Sequence, residues 1–309
     1  MRCISPAETV PLRYEDVSSA PYYPGKEATS EYREGIYVGY RYFDTAKKQV
    51  KYPFGHGLSY TTFTYSDLDV FPDRVSFRIR NTGNVAGAEI AQLYMHKKND
   101  GMFRPEQELK GFARVELAPG EEKTVSIGLN DRSFSVWSVR ENDWVIEGGV
   151  YELRIGASSR DIRLRAEIRR DGAVANPYAD EVFAPYYSGE VHSVSEESFA
   201  ALLGHAVPNA KWDRSAPIGF NDTISQGEYL DGGLGKTVYN LISFVRRVLM
   251  ATGKKESANS VMFVMNMPWR YVARMSGMLC DEQVMALLDI VNRKKGGFRR
   301  LMKRTFVKK

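Results

Sequence analysis

Apolar and polar residues alternate in short segments through the middle of the chain. At positions 74–80, Val75, Phe77 and Ile79 take every second place, and positions 162–168 alternate in the same way. This period gives a β-strand one apolar face. We therefore predict a mainly β fold, an immunoglobulin or fibronectin III-like antiparallel β-sandwich, with Trp137 and Trp144 filling the gap between its sheets. The predicted strands lie at 74–80, 89–96, 108–117, 123–129, 144–147, 150–155 and 162–168.

The period of the apolar positions becomes helical after Gln226. Further helices are predicted near 261–265, from Trp269 directly after Pro268, and from Asp281. In the last of these, Val284, Leu287, Leu288 and Val291 are expected to point inward. The first helix is predicted from a single apolar stripe that contains Leu230, Leu234, Val238, Leu241, Ile242, Val245 and Leu249.

Two other segments lack a regular period. Residues 1–56 are rich in Pro, Gly and Tyr, and they offer too few apolar side chains to fold alone. Residues 171–225 contain several prolines and are predicted to be an irregular connector. A short helix is expected at 196–203, begun by a capping box of Ser193 and Glu196. The predicted division is a junction segment at 1–56, a β-sandwich at 57–170, a connector at 171–225 and a helical extension at 226–309.

Composition excludes several classes of protein. The chain of 309 residues has no apolar run of the roughly 20 residues that a membrane span needs. Its first residues lack the apolar stretch of a signal peptide, so we expect a cytoplasmic protein. Cys3 and Cys280 are too few for a disulfide framework, and the four histidines lack ligand spacing, so no metal is expected. Gly235-Lys236-Thr237 lacks the first glycine of a phosphate loop, and no cofactor is expected.

The net charge of +5 comes from one end of the chain. Residues 294–309 carry eight basic residues and no acidic one, which leaves the other 293 residues at −3. A nucleic-acid partner is therefore not expected. Phe298, Leu301, Met302 and Phe306 could make this tail an amphipathic basic helix. Two interpretations stay open, a solubilising end and a segment that contacts an anionic membrane surface.

Two motifs of the junction segment resemble glycoside hydrolase family 3. They are 35–44, Gly-Ile-Tyr-Val-Gly-Tyr-Arg-Tyr-Phe-Asp, and 53–63, Pro-Phe-Gly-His-Gly-Leu-Ser-Tyr-Thr-Thr-Phe. Together they resemble the junction between the α/β domain and the fibronectin III-like domain of the family. Downstream, 81–87, 92–94, 109–112 and 117–121 follow in the order that this domain shows. The resemblance covers about residues 1–170, and 266–270 resembles a C-terminal extension of some bacterial members, so we expect a bacterial protein.

The resemblance implies a C-terminal, non-catalytic fragment of a retaining β-glucosidase-type hydrolase that acts on terminal β-linked sugars. The family's Asp nucleophile and Glu acid/base lie upstream of the junction motif, so we expect no catalytic residue in this chain. The implied partners are an upstream (β/α)8 barrel and an α/β domain, which this chain would stabilise. The alternative is a stand-alone β-sandwich module that binds carbohydrate or protein without catalysis.

The best candidates for contact with a sugar are Tyr40, Arg41, Tyr42 and Asp44, because aromatic faces and polar groups suit a pyranose ring. The competing interpretation is an Arg–Asp pair and tyrosines packed at a domain interface. Glu106 and Glu108 are further candidates for approaching a neighbouring active site, and an ordinary solvated loop is the alternative for them.

Overall fold

The structure is a computed structural model that describes residues 6–98, 101–172, 176–276 and 280–306. Cys3, the side chain of Phe306 and the last three residues of the basic tail therefore lie outside the described part. The chain forms two compact units. The first contains residues up to 25 together with 30–208, and the second contains 26–29 and the residues from 209 onward.

Antiparallel strands dominate the first unit. The main sheet has the order β11-β10-β5-β6, a second sheet has the order β3-β4-β7, and two short pairs are β1-β2 and β8-β9. Their bounds are β1 Val10–Pro11, β2 Val50–Tyr52, β3 Phe63–Val70, β4 Arg74–Asn81, β5 Gly87–Lys98, β6 Glu108–Leu117, β7 Glu122–Gly128, β8 Ser135–Ser138, β9 Asp143–Ile146, β10 Gly149–Gly156 and β11 Ile162–Arg170.

The two larger sheets share one apolar core, because alternation gives each of them one buried face. Val75, Phe77 and Ile79 of β4 are buried in this core together with Leu93 of β5 and Leu153 of β10. The seven predicted strands all occur, and β3 adds a strand that the sequence did not delimit. We call these sheets with their shared core the two-sheet domain.

The prediction that Trp137 and Trp144 fill this core was wrong. They pair across the short β8-β9 hairpin and keep 45% and 42% of their surface exposed. Smaller side chains from both sheets fill the core, and Tyr151 and Phe134 meet edge to face at its end, 5.2 Å between ring centroids.

A second core joins two segments that are far apart in the sequence. Tyr37, Tyr42 and Phe43 are buried there with side chains from the predicted connector, Phe183, Tyr186, Val191, Val194 and Phe199. The connector is therefore partly ordered. The helices of this unit are α1 Tyr40–Thr45, α2 Asp131–Phe134, α3 Ala184–Ser188 and α4 Glu196–Leu203.

Helix α4 has the bounds that the sequence predicted, but its cap differs. The side chain of Ser195, rather than that of Ser193, accepts the backbone N–H of Ser198 at 3.0 Å. Ser195 directly precedes the first helical residue, which is the position from which a hydroxyl can reach a free N–H of the first turn.

The second unit is helical from Leu234 onward. Its small core contains Ile218, Val284 and Leu288. Val284 and Leu288 are among the residues predicted to point inward from the helix that begins at Asp281. Among the described residues, no helix combines the length and the apolar character needed to cross a bilayer. The helices are α5 Leu234–Ala251, α6 Lys255–Met265, α7 Trp269–Ser276, α8 Asp281–Val291 and α9 Gly297–Phe306.

Asn81, at the end of β4, provides a test of this fold. Its buried amide donates to the carbonyls of Val85 and Leu117 at 2.9 and 3.1 Å, and its oxygen accepts from Thr61 and Gly83. We predict that Asn81→Ala lowers the free energy of unfolding by about 3 kcal/mol, because it leaves several buried polar groups unpaired. Asn84→Ala, at an exposed position of the same turn, should cost under about 0.5 kcal/mol. Equal losses in urea unfolding would contradict this role for Asn81.

Candidate functional site

Helix α1 carries the four residues that the sequence singled out. It begins after Gly39, whose φ of +54° lets the chain turn sharply into the helix. Tyr42 points into the second core, fully buried, with its ring stacked on His192 at 5.4 Å between centroids. Burial raises the pKa of Tyr42 to about 12, with Glu190 and Asp16 adding to the effect. Tyr42 is therefore not available to a ligand.

Asp44 is held by Arg160, which lies in the turn between β10 and β11. The Arg160 Nε is 2.8 Å from Asp44 Oδ1, and its Nη2 donates to the carbonyls of Phe43 and Lys48 at 3.1 and 2.8 Å. The Asp44 side chain is only 7% exposed. This Arg–Asp contact, named here the Arg160 tie, fastens helix α1 to the two-sheet domain.

Tyr40 also has a packing role. Its hydroxyl accepts the backbone N–H of Leu109 at 2.8 Å, and its ring lies 4.7 Å from that of Phe54. The turn that follows Phe54 needs Gly55, because Gly55 has a φ of +75° and a Cβ there would lie 2.1 Å from the amide oxygen of Gln92. The junction motif at 53–57 thus closes on strand β5.

Two of the four residues border cavities. Asp44 borders one of about 390 Å³ together with Arg160, and Arg41 borders a larger one. The larger cavity has a volume of about 500 Å³ and is lined mainly by side chains of the junction segment, of residues 102–110 and of the β8-β9 hairpin. At its wall the Arg41 guanidinium lies 3.4 Å from the Glu108 carboxylate. The lining residues with a charged or aromatic side chain suited to ligand contact are Arg41, Glu108, Lys110, Arg132, Trp137 and Trp144. We call this the tryptophan cavity.

The two tryptophans give the cavity its aromatic wall. Their ring centroids are 5.7 Å apart at an angle of 70°, and the Arg132 guanidinium lies 3.5 Å from the centre of the Trp144 ring. Such a cation–π contact orients both groups. The sequence missed this site because its interpretation placed both tryptophans in the core.

The loop at 101–108 is fixed by ion pairs. Arg104 is 2.7 Å from Glu147, and the same carboxylate accepts the backbone N–H of Met102 at 3.2 Å. Glu106 is 2.9 Å from Arg154, so it is held on the sheet. Glu108 is 3.1 Å from Lys110 and also meets Arg41, which places it at the tryptophan cavity.

Possible metal ligands do not gather in the described ranges, where no group of three or more His, Cys, Asp or Glu side chains could hold an ion. Cys280 is a free, exposed thiol. The polar groups at the tryptophan cavity are guanidinium, ammonium and carboxylate, which can hydrogen-bond the hydroxyls of a sugar. Its indole rings can pack on the apolar face of a pyranose.

The first unit matches a known domain family and several known enzymes. Residues 89–159 match the fibronectin type III-like domain family. The Thermostable beta-glucosidase B of Acetivibrio thermocellus is 44% identical over 213 residues, which are 64% of this chain and 27% of that protein. The exo-alpha-(1->6)-L-arabinopyranosidase of Bifidobacterium longum is 42% identical over 171 residues, 54% of this chain and 23% of that protein.

A solved structure gives the same result. The GH3 beta-glucosidase of Bifidobacterium adolescentis superposes with a TM-score of 0.54 and 34% identity, covering 62% of this chain and 30% of the enzyme. The chain resembles the C-terminal part of glycoside hydrolase family 3 enzymes. This confirms the resemblance carried by the junction motifs. The chain spans less than a third of the length of these relatives. Relatives occur in bacteria and fungi, so the expected bacterial origin stays a prediction.

The Arg160 tie predicts a large effect on stability. Arg160→Ala should lower the free energy of unfolding by about 3 kcal/mol, because it leaves the Asp44 carboxylate buried without its cation. Arg114→Ala removes an exposed pair with Glu116 and should cost under about 1 kcal/mol. Urea unfolding of both variants measures the difference, and similar losses would show that the tie does not hold α1.

Because the Glu34 carboxyl is buried, we expect the stability of the fold to depend on pH. This residue is 3% exposed, and one of its carboxylate oxygens has no hydrogen-bond partner. Burial raises the pKa of Glu34. The folded state therefore binds its proton more tightly than the unfolded chain, so stability falls as the pH rises from about 4.3 through the raised pKa. Glu34→Gln should remove this loss, as melting curves across that range can show. Exposed Glu141→Gln is the control and should leave the pH dependence unchanged.

Proposed function

We propose that this chain is the C-terminal, non-catalytic portion of a retaining β-glycoside hydrolase of the β-glucosidase type. The observation that carries the proposal is the 44% identity to the Thermostable beta-glucosidase B over a stretch that makes up only 27% of that protein. A retaining enzyme needs two carboxylates about 5 Å apart across the scissile bond. By the family resemblance these come from an upstream barrel and an α/β domain, which are the proposed partners of this chain.

The finer organisation belongs to the same proposal. The two-sheet domain is a fibronectin III-like sandwich, and the residues that follow the connector form a helical extension. The first unit joins parts that the four-part division expected from the sequence keeps separate, because the junction segment and the connector up to residue 208 share one core. That division at 56, 170 and 225 stays a prediction for the complete protein.

The proposed substrate class is a terminal β-linked sugar. The relatives are named as a β-glucosidase and an exo-α-(1→6)-L-arabinopyranosidase, so the proposal names the class of sugar and not the sugar itself. A bacterial, cytoplasmic enzyme is proposed from the sequence. A solubilising role for the basic tail is also proposed, with membrane contact of the tail as the alternative.

The proposed role of this chain in that enzyme is to hold Arg41 and the tryptophan cavity in place. The Arg160 tie fixes helix α1, and α1 presents Arg41 to the tryptophan cavity. In the complete enzyme this cavity would form one rim of the substrate pocket. A stand-alone β-sandwich module that binds carbohydrate or protein is the alternative, and it is disfavoured because the relatives are longer enzymes of which this chain matches one part.

A chimera tests the proposal. Residues 1–309 alone should not hydrolyse chromogenic β-glucosides. We predict that the same residues, exchanged for the corresponding region of the Thermostable beta-glucosidase B, restore a folded and active enzyme. Deleting the region without replacement should abolish activity, because the catalytic domains lose their support. Arg41→Ala in the chimera should raise KM about tenfold and change kcat little, since it removes a binding contact.

Two results would contradict the proposal. Turnover by residues 1–309 alone, lost on mutating one of its own acids, would place catalysis in this chain. A soluble chimera that folds without activity would show that this region does not replace that of the relative. Trp137→Ala and the exposed control Phe112→Ala separate an effect of the tryptophan cavity from a general surface change.

A further inference from the structure

Helix α5 turns its apolar stripe towards solvent. Leu241, Phe244, Val245 and Val248 have the spacing i, i+3, i+4 and i+7, so they lie on one face of the helix. They are 64%, 61%, 44% and 44% exposed. The opposite side of α5 is the buried one and holds the small side chain of Ser243. An amphipathic helix normally buries its apolar stripe, and within the described part of the chain this face of α5 is left without a covering partner.

Helix α6 also exposes apolar side chains. It follows α5 after a short turn and packs against it. Met262, Phe263 and Val264 of α6 are 43%, 60% and 43% exposed. Several exposed apolar side chains on two packed helices are typical of an interaction site. We call α5 and α6 with these side chains the apolar hairpin.

The apolar hairpin is itself basic. Residues 234–265 contain five basic residues and one acidic residue, a net charge of +4. Within the hairpin, Arg247, Lys254 and Lys255 are exposed. None of these three cations has a carboxylate within 4 Å among the residues that the structure describes. Unpaired basic groups beside exposed apolar groups require a partner that is both apolar and negatively charged.

We propose that the apolar hairpin docks on the surface of an anionic lipid bilayer. The apolar side chains enter the boundary between headgroups and acyl chains, and the basic side chains bind lipid phosphates. The hairpin lies on the bilayer, since no described helix can cross it. A second copy of the chain fits less well, because two hairpins that each carry a net charge of +4 repel each other. This inference goes beyond the proposed glycosidase function and does not depend on it.

Vesicle co-sedimentation of the full chain tests the proposal. We expect residues 1–309 to bind phosphatidylcholine vesicles that contain phosphatidylglycerol, and to bind pure phosphatidylcholine vesicles at least about tenfold more weakly. High salt should weaken the binding without abolishing it, because the apolar contact is not screened. The double variant Leu241→Ser, Phe244→Ser should reduce binding about tenfold or more. Phe112→Ser, at an exposed apolar position of the two-sheet domain, is the matched control and should bind normally.

A second variant separates docking from folding. Lys254→Glu with Lys255→Glu changes only exposed residues at the turn between α5 and α6, and should reduce binding while circular dichroism and melting stay unchanged. Three results would overturn the proposal. These are no binding to anionic vesicles, binding lost on deletion of 294–309 but kept in both hairpin variants, and a dimer in light scattering that the serine variant dissociates.

Discussion

The Arg160 tie is the contact on which the placement of the candidate site depends. One guanidinium neutralises the buried Asp44 carboxylate and also satisfies the carbonyls of Phe43 and Lys48 at the end of helix α1. A carboxylate in such a place is costly without its cation. The direction of α1 is therefore set by a turn of the two-sheet domain. Arg41 lies three residues before Asp44, and the same constraint aims it at the tryptophan cavity.

The second core explains why the junction segment needs distant parts of the chain. Tyr37 is fully buried, and its hydroxyl donates to the backbone carbonyl of Tyr186. Burial raises the pKa of Tyr37 strongly, so its hydroxyl stays a neutral donor. Tyr22 is bound in the same way, since its hydroxyl donates to the Val191 carbonyl at 2.8 Å and accepts the Val194 N–H at 2.9 Å. An aperiodic segment is thus ordered by hydroxyl contacts over more than 140 residues of sequence.

Local patterns of apolar and polar residues predicted the strands and helices. They did not predict which distant segments of the chain pack together. Alternation located β4 and β11 because one buried face needs only a period of two. The same pattern could not show that Trp137 and Trp144 lie on a separate hairpin. Alternation predicts which side chains share a face of a strand, but it does not predict which other segment packs on that face. The apolar stripe on α5 predicted a helix correctly, but it did not predict that the stripe faces solvent. Leu241 and Val245 are exposed. Of the four candidate residues, Arg41 suits ligand contact best, because its side chain is 37% exposed although it pairs with Glu108, whereas Tyr42 and Asp44 are buried and Tyr40 packs on Phe54.

The acidic groups near the tryptophan cavity bear on what this chain can contribute to hydrolysis. Glu108 pairs with Arg41 and Lys110, Glu106 with Arg154, and Glu147 with Arg104. A nucleophile or a general acid needs an oxygen free to meet the substrate. Both oxygens of Glu108 and of Glu147 are engaged by cations, and Glu106 is held through its Oε1. These carboxylates therefore hold the cavity in shape. Under the function proposed above, contact with a sugar falls to the partly exposed Arg41 guanidinium and the two indole rings, and the bond-breaking groups come from the upstream domains.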